Sequence, residues 1–372
     1  MTINEIDKAL LGQYIDKFGA GLLNEKIKDL PENVKGQIYQ DTKRHSPDTN
    51  LSELLADDSG GHDEVNNKDT WTVDEILKAE LPELTWLVPD LIPVGFVSLA
   101  GRPKVGKSWL ALQLAIAVAS GNHFLGKKVE KSGVLYLALE DSIRRLQDRL
   151  IKLGVKDGIS ITFKTDYRPL DEAEGLNDFY AEVASSNYKL IIVDTFGRSL
   201  TAGKLEIKDY SDNVGILSKF QKITQKNPVT ILLVDHHGKM SGDDPIRDLI
   251  GSIGKSATFD SIIGLYKEQN KQGAKLTVIG RDMDDVNLAI EFDPSTFSWQ
   301  SKGDIKSVLQ QTVLDAIKTL VNNGELATTT SIAEHIDQDR GNVHKAVSQL
   351  INMGKVKKLP KVDGKLQPFE AL

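Results

Sequence analysis

Several features that define large protein classes are missing from this chain of 372 residues. It contains no cysteine, which excludes disulfides, thiolate zinc sites and cysteine nucleophiles and is typical of a reducing compartment. No apolar run approaches the ~18–20 residues that span a bilayer. The N-terminal segment has neither the basic nor the apolar region of a signal peptide. We therefore expect a cytoplasmic protein that has no membrane partner.

An excess of positive charge is also missing. The formal net charge is −7, so the whole chain carries no electrostatic signature of nucleic-acid binding, and any such binding must be local. One stretch fits that requirement. Between Arg340 and Lys365 there are seven Lys or Arg residues and a single acid, Asp363.

The length predicts two or three domains. Residues 1–45 contain weakly amphipathic stretches, and we interpret them as a weakly helical segment. Residues 46–70 hold seven acidic residues and one lysine. Because this composition cannot bury enough apolar surface to offset chain entropy, it predicts an acidic flexible linker. We place a first globular domain at 71–300 and a second at 305–372.

The first domain alternates strand and helix patterns. Strands are predicted at 95–100, 134–139, 189–194, 230–235, 260–266 and 275–280, and helices at 107–120, 142–153, 172–186 and 208–226. This alternation indicates an α/β fold with a mainly parallel sheet flanked by helices on both faces. Antiparallel strands are expected to complete the sheet within 260–300.

A phosphate-binding loop lies between the first of these strands and the first helix. Residues 101–108 read GRPKVGKS, a complete G-x-x-x-x-G-K-[ST] motif. The glycines permit close backbone approach, and the helix N-terminus favours a polyanion. The alternative is a glycine turn followed by an incidental Lys-Ser pair. The motif predicts ATP and Mg²⁺ as ligands, with nucleotide contacts from Gly101, Arg102, Pro103, Lys104, Val105, Gly106, Lys107, Ser108 and Trp109, and a metal contact from Ser108.

Polar residues follow the next predicted strands. A carboxylate at a strand's carboxyl end can polarise water for attack on the γ-phosphate, and Glu140 is placed for this role. Asp194 follows an apolar strand and would hold Mg²⁺ through water. A histidine at the end of the 230–235 strand could contact the γ-phosphate. Asp141 and Asp235 are alternatives for these roles, and each residue alone also fits a turn or cap.

The pattern changes after residue 305 to three helices followed by two short strands around an Asp-Gly turn, the outline of a winged helix-turn-helix. The first turns of the third helix would meet base edges, and lysines of the hairpin would meet phosphates. Winged helices also serve as protein-interaction modules, and this remains the alternative. The residues expected to contact nucleic acid here are Arg340, Asn342, His344, Lys345, Lys357 and Lys358.

The span 84–290 resembles the RepA-type hexameric helicases of plasmids and phages, within the RecA/DnaB superfamily. The similarity is carried by GRPKVGKS, YLALEDS, LIIVDTFGRS, LLVDHHGK and VIGRD. It implies a RecA-like fold, with Glu140 as catalytic base, Asp194 as the Walker B residue and His237 as γ-phosphate sensor. It also implies that a neighbouring subunit supplies a cation, here Arg281 or Lys255. Loops lining a central channel would contact a single strand through Lys204, Lys208 and Lys239.

These observations lead to one hypothesis and two alternatives. The hypothesis is an ATP-dependent DNA helicase or translocase that serves replication of a mobile element. It would act as a homo-hexamer, with the single strand in its channel, duplex on the winged helix and other replication proteins as further partners. The first alternative is an ATP-gated DNA-binding regulator that does not unwind DNA. The second is a recombination or repair ATPase.

Overall fold

The computed structural model describes residues 70–80, 83–201, 210–236, 257–267, 273–362 and 366–372. The predicted segment at 1–45 lies outside these ranges, as does the predicted linker at 46–70 except for its last residue, Thr70. Within them, each strand and helix predicted for the first domain is present, within a few residues at each end. The helix predicted at 107–120 has those bounds, Lys107–Ser120.

The centre of the molecule is a nine-stranded sheet with the order β13-β12-β11-β10-β3-β9-β8-β6-β7. Six neighbouring strands are parallel. They are β3 (Phe96–Gly101), β6 (Gly133–Ala138), β7 (Ile161–Lys164), β8 (Tyr188–Asp194), β9 (Thr230–His236) and β10 (Ser261–Lys267). The remaining strands, β11 (Gly273–Gly280), β12 (Val286–Asp293) and β13 (Ser298–Asp304), continue the sheet antiparallel from β10. The predicted mainly parallel sheet is thus confirmed.

Helices cover both faces of the parallel strands. Successive strand residues point to opposite faces, so a strand inside the sheet, such as β3, contributes to two buried clusters. Val97 and Leu99 of β3 belong to one buried cluster together with α2 (Lys107–Ser120) and with Leu146 of α3 (Ile143–Lys152). Phe96 and Ala100 of the same strand belong to a second cluster. That cluster contains residues of α4 (Ala173–Ser185) and α5 (Tyr210–Lys226). Parallel strands buried on both faces explain their continuous apolar runs.

Short elements surround this core. A helix, α1 (Val73–Lys78), starts at a capping box formed by Thr72 and Glu75. Two small antiparallel pairs follow, β1 (Trp86–Val88) with β2 (Ile92–Pro93), and β4 (His123–Phe124) with β5 (Lys127–Lys128). A 3₁₀ helix, Phe196–Ser199, follows β8. In the part of the chain that the structure describes, no helix is long and apolar enough to cross a membrane.

The C-terminal region has its own core. Three helices, α6 (Ile305–Asn322), α7 (Thr329–His335) and α8 (Arg340–Asn352), enclose a cluster that includes Ile317, Ile332 and Val343. Two strands complete the region, β14 (Val356–Lys358) and β15 (Phe369–Ala371), which pair antiparallel. β15 starts three residues after Leu366, so the hairpin is longer than the two short strands predicted directly around the Asp-Gly turn. β13 ends at Asp304, whose side chain caps α6, so the large sheet reaches four residues past the predicted boundary at 300.

Candidate active site

The phosphate-binding loop leaves the carboxyl end of β3, which lies inside the sheet between β10 and β9. Gly106 has φ +102°, and a Cβ there would lie 2.9 Å from Cζ2 of Trp299. A Cβ on Gly101 would lie 2.9 Å from the carbonyl oxygen of Leu265. Both positions therefore require glycine. No side chain caps the N-terminus of α2, so its first N–H groups are available to an anion.

Lys107 is buried, at 6% exposure, and its ammonium group donates to the loop's own carbonyls. The Nζ–O distances are 2.8 Å to Gly101 and 3.1 Å to Arg102. Burial lowers the pKa of Lys107 to about 8, and the negative charges of Asp194, Asp235 and Glu140 oppose this effect. The loop therefore holds a desolvated amine that a phosphate's negative charge would stabilise in its protonated form.

The lowered pKa predicts proton uptake on ATP binding. Above about pH 8 the free protein holds Lys107 mostly neutral, whereas bound phosphates raise its pKa and restore the charge. We expect the Kd for ATP to be flat below this pH and to rise about tenfold per pH unit above it, up to about pH 10. Calorimetry at about pH 9 in two buffers of different ionisation enthalpy measures the uptake. A binding enthalpy that does not depend on the buffer would contradict this assignment.

Asp194 ends β8, and 3% of its surface is exposed. Burial raises the pKa of its carboxyl, while the nearby hydroxyls of Tyr136 and Ser108 oppose this effect. The Tyr136 hydroxyl donates to Oδ2 at 2.8 Å. The other oxygen, Oδ1, is buried and has no hydrogen-bond partner in the described structure. An unpaired buried carboxylate oxygen beside the Ser108 hydroxyl fits the hard oxygen ligands that Mg²⁺ prefers.

A metal at this position would need further ligands. Across the ranges described above, no group of three or more His, Asp or Glu side chains could hold a metal ion alone. Mg²⁺ is usually bound by one or two carboxylates together with substrate phosphates and water. Asp194 and Ser108 therefore fit a magnesium site that is completed by the nucleotide.

Glu140 lies two residues beyond β6 and faces the end of β8. Its Oε1 accepts a hydrogen bond from the Thr195 hydroxyl at 2.9 Å and lies 3.9 Å from Nε of Arg198. The Glu140 side chain is 43% exposed. A carboxylate that is held in place and still open to water has what a general base requires.

Asp141, the alternative acid, has different surroundings. Its side chain is only 7% exposed and forms ion pairs with Arg145, at 3.1 Å, and with Arg149, at 2.5 Å. Both oxygens are thus engaged by cations from α3. The geometry favours Glu140 over Asp141 as the residue that contacts the attacking water.

Trp109, one residue after Ser108, belongs to an aromatic cluster beside the phosphate-binding loop. Its ring stacks on Phe297, with centroids 5.4 Å apart, and meets Phe292 edge-on at 6.1 Å. The guanidinium of Arg149 lies 5.5 Å from the Trp109 ring centroid. The cluster packs the β12–β13 hairpin against the first turn of α2, so Trp109 supports the loop as well as lying near it.

The remaining predicted site residues of the first domain are only partly described. Arg281 follows β11, and its guanidinium donates to the carbonyl of Ala257. Asp235, in β9, is buried. The side chain of His237 and those of Lys204, Lys208, Lys239 and Lys255 lie outside the described residues. Their predicted roles stay predictions.

The residues of the C-terminal region that are predicted to contact nucleic acid are exposed. Arg340, Asn342, His344 and Lys345 lie in the first half of α8. Lys357 and Lys358 lie on β14. The Lys357 ammonium pairs with Glu370 on β15 at 2.8 Å, which offsets part of its charge. The charge that this hairpin offers to a phosphate is therefore smaller than the lysine count suggests.

Sequence reasoning missed two residues of the site, Tyr136 and Thr195. Tyr136 sits within an apolar strand, fully buried, where a hydroxyl requires a partner. Thr195 directly follows Asp194 and is also buried. For Tyr136, a polar group inside an otherwise apolar run was the available signal. Only the pairing of β6 with β8 shows which carboxylates the two hydroxyls contact.

Two comparisons of sequence bear on this site. Residues 62–242 match the family model described as the AAA domain, just under half of the chain. The "DNA repair protein RadA" of Halalkalibacterium halodurans is 26% identical over 171 residues, which cover 44% of this chain and 33% of that protein. The chain therefore spans about a third of the length of this curated relative.

Solved structures with similar architecture include a DnaB-like replicative helicase (16% identity, 78% of this chain and 77% of that chain, TM-score 0.47). A KaiC-like protein from Pyrococcus horikoshii shows 18% identity over 56% of this chain and 89% of its own, with a TM-score of 0.40. The RadB recombinase shows 14% identity over 58% and 93%, also with 0.40. Because these TM-scores are below 0.5, the fold class rests on the strand order and crossovers themselves.

The matched region contains the phosphate-binding loop, Glu140 and Asp194. Their positions at the carboxyl edge of one parallel sheet agree with the match to the AAA domain. Together the family match, the loop geometry and the strand order support a RecA-like P-loop ATPase.

Proposed function

We propose that this chain is the ATP-driven motor of a DNA helicase or translocase, acting in replication of a mobile element. The observation that carries the proposal is the convergence of Lys107, Ser108, Asp194 and Glu140. Lys107 and Ser108 follow β3, Asp194 ends β8 and Glu140 follows β6, so all four lie at the carboxyl edge of the parallel strands. Ligands of open α/β sheets bind at this edge.

Each residue has a defined task in hydrolysis. The N-terminus of α2 and Lys107 bind the β- and γ-phosphates, and the Glu140 carboxylate takes a proton from the attacking water. Ser108 and Asp194 would hold Mg²⁺, which, when bound, neutralises charge that develops on the phosphates. His237 would sense the γ-phosphate.

The proposed motor acts on DNA. The relative from Halalkalibacterium halodurans is named a DNA repair protein, which supports an ATPase that acts on DNA. We propose a homo-hexameric ring in which Arg281 or Lys255 reaches the neighbour's site. Lys204, Lys208 and Lys239 would contact a single strand in the channel, and other replication proteins would load or couple the ring.

Strand displacement on forked DNA, combined with mass determination in the presence of ATP, tests this proposal. We expect ATP-dependent unwinding by a species of six chains. A monomer that hydrolyses ATP without displacing a strand would overturn the helicase proposal and leave the ATPase in place.

The C-terminal region favours a second candidate, an ATP-gated DNA-binding regulator. It contains three helices and one pair of short strands, which supports a winged helix-turn-helix, and the start of α8 exposes Arg340, Asn342, His344 and Lys345. These side chains suit base-edge and phosphate contacts in duplex DNA.

Deletion of residues 305–372 separates the two candidates. The cut leaves β13 complete and removes a region that has its own buried cluster, so the large sheet should remain folded. A motor that contacts DNA in its channel should keep an ATPase activity stimulated by single strands. A regulator should lose every response to DNA.

The matched control keeps the C-terminal region and changes Arg340 to alanine. This variant should lower sequence discrimination on duplex by about 1–3 kcal/mol per lost base contact, while ATPase activity stays at the wild-type level. If the change leaves duplex binding and its salt dependence untouched, α8 does not contact DNA, and the region docks on protein instead.

A further inference from the structure

We propose that Tyr136 and Thr195 are positioning residues that orient the two carboxylates of the site in a reciprocal way. Tyr136 of β6 donates to the acid that ends β8, and Thr195, directly after β8, donates to the acid that follows β6. The inference rests on the proposed ATPase function of Glu140 and Asp194, and it deepens that function by assigning what fixes their geometry.

The first contact lies inside the sheet. β6 and β8 are parallel neighbours, with Ala138 opposite Asp194 and Tyr136 opposite Ile192. The Tyr136 ring is buried against Phe163, with centroids 5.5 Å apart, and its exposure is 1%. Packing therefore fixes the ring. Its hydroxyl donates to Oδ2 of Asp194 at 2.8 Å.

This contact leaves only one oxygen of Asp194 free. Oδ1 is buried and unpaired in the described structure. An ionised carboxylate can rotate about its terminal torsion, which has broad minima. A hydrogen bond to Oδ2 from a packed ring restricts that rotation and holds Oδ1 as the oxygen available to a metal, as partners of metal ligands commonly do.

The second contact lies just beyond the strand ends. The backbone N–H of Leu139 donates to the Asp194 carbonyl at 2.8 Å, which brings the two strand ends together. The Thr195 hydroxyl then donates to Oε1 of Glu140 at 2.9 Å. Thr195 is 4% exposed, whereas the Glu140 side chain is 43% exposed. A buried hydroxyl thus orients a solvent-exposed carboxylate through one of its two oxygens, Oε1.

The two hydroxyls should have separable effects, because they hold acids with different tasks. Loss of the Tyr136 hydroxyl should raise the Mg²⁺ concentration that tight nucleotide binding requires. Loss of the Thr195 hydroxyl should slow hydrolysis while leaving nucleotide binding in place. A purely structural role for either residue would instead lower stability without this division.

Tyr136→Phe tests the first contact, with Tyr188→Phe as its matched control. Tyr188 lies at the other end of β8, and its hydroxyl pairs with Thr162 at 3.2 Å. Binding of a fluorescent, non-hydrolysable ATP analogue is measured while Mg²⁺ is titrated. We expect the half-saturating Mg²⁺ concentration to rise about tenfold in Tyr136→Phe. Binding in EDTA should match the wild type, and Tyr188→Phe should match it throughout.

Incorporation of 4-fluorophenylalanine at position 136 provides a second variant if Tyr136→Phe folds poorly. The fluorine fills the hydroxyl's place but donates no hydrogen bond, so the same Mg²⁺ shift is expected. An unchanged Mg²⁺ dependence in a folded variant of either kind overturns the role of Tyr136.

Thr195→Val and Thr195→Ser test the second contact. Valine keeps the shape and removes the hydroxyl, whereas serine keeps the donor. We expect kcat for ATP to fall at least about tenfold in Thr195→Val with KM unchanged, and Thr195→Ser to recover most of the loss. Equal kcat in the valine variant and the wild type overturns the role of Thr195, as does an equal loss in both variants.

Failure of the underlying function would look different. If the wild-type chain binds the analogue and hydrolyses ATP while the variants match it, only the positioning role is wrong. If the wild-type chain neither binds nor hydrolyses ATP, the proposed function itself is wrong.

Discussion

Replacement of Glu140 by glutamine is expected to leave ATP binding intact and to lower the hydrolysis rate by about 10²–10⁴-fold, the usual contribution of a positioned general base. Glutamine keeps the size of the side chain and can still accept the hydrogen bond from Thr195. It cannot take a proton from water. Single-turnover hydrolysis, measured beside binding of a labelled ATP analogue, separates the chemical step from affinity.

Asp141→Asn is the matched control, because it removes one carboxylate from the neighbouring position. The ion pairs of Asp141 with Arg145 and Arg149 would be lost, so this variant should unfold at a lower temperature. Its folded fraction should still hydrolyse ATP at a rate near that of the wild type. If Asp141→Asn loses hydrolysis and Glu140→Gln does not, the two acids have been assigned in the wrong order.

Lys107→Ala is expected to lose ATP binding at concentrations that saturate the wild type. Lys107 is buried against the loop, at 6% exposure, and this burial lowers its pKa to about 8. A charge-assisted hydrogen bond contributes about 1.5–3 kcal/mol, and Lys107 would make such bonds to two phosphates. Equilibrium binding of the labelled analogue measures the loss directly.

Lys128→Ala serves as the control for this variant. Lys128 also donates its ammonium to a backbone carbonyl next to α2, that of Gly121 at 2.5 Å, but at the opposite end of the helix. Removal of this amine should leave ATP affinity unchanged. Wild-type affinity in Lys107→Ala would remove the basis for assigning the loop to nucleotide.

The sequence predicted those parts of the fold that depend on periodicity and on glycine. The phosphate-binding loop was recognisable because Gly101 and Gly106 are needed where a side chain would collide with Leu265 and Trp299. The helix that follows the loop was placed correctly because an apolar run ends at Ser120-Gly121, and Gly121 adopts φ +68° there.

Other elements escaped prediction for physical reasons. β7 (Ile161–Lys164) is four residues long, only partly buried and at the edge of the sheet, so it carries little periodic signal. The second strand of the C-terminal hairpin, Phe369–Ala371, follows the predicted Asp-Gly turn but starts three residues after Leu366, because its partner is Val356–Lys358, which lies equally far before the turn.

The candidate site shows the same division between what the sequence reveals and what it does not. Glu140 and Asp194 were predicted because acids after apolar strands are visible in the sequence. Their hydroxyl partners were not predicted, because the two residues of each contact lie far apart in the chain. The separation is 58 residues for Tyr136 and Asp194 and 55 residues for Glu140 and Thr195. Only the parallel pairing of β6 with β8 brings these residues together.

Steady-state ATP hydrolysis by the full chain, measured with and without single-stranded DNA, tests the central claim most directly. The account predicts hydrolysis that requires Mg²⁺, rises when single-stranded DNA is added and disappears in Glu140→Gln. Hydrolysis that ignores single-stranded DNA would contradict the motor, and the absence of hydrolysis under both conditions would contradict the site itself.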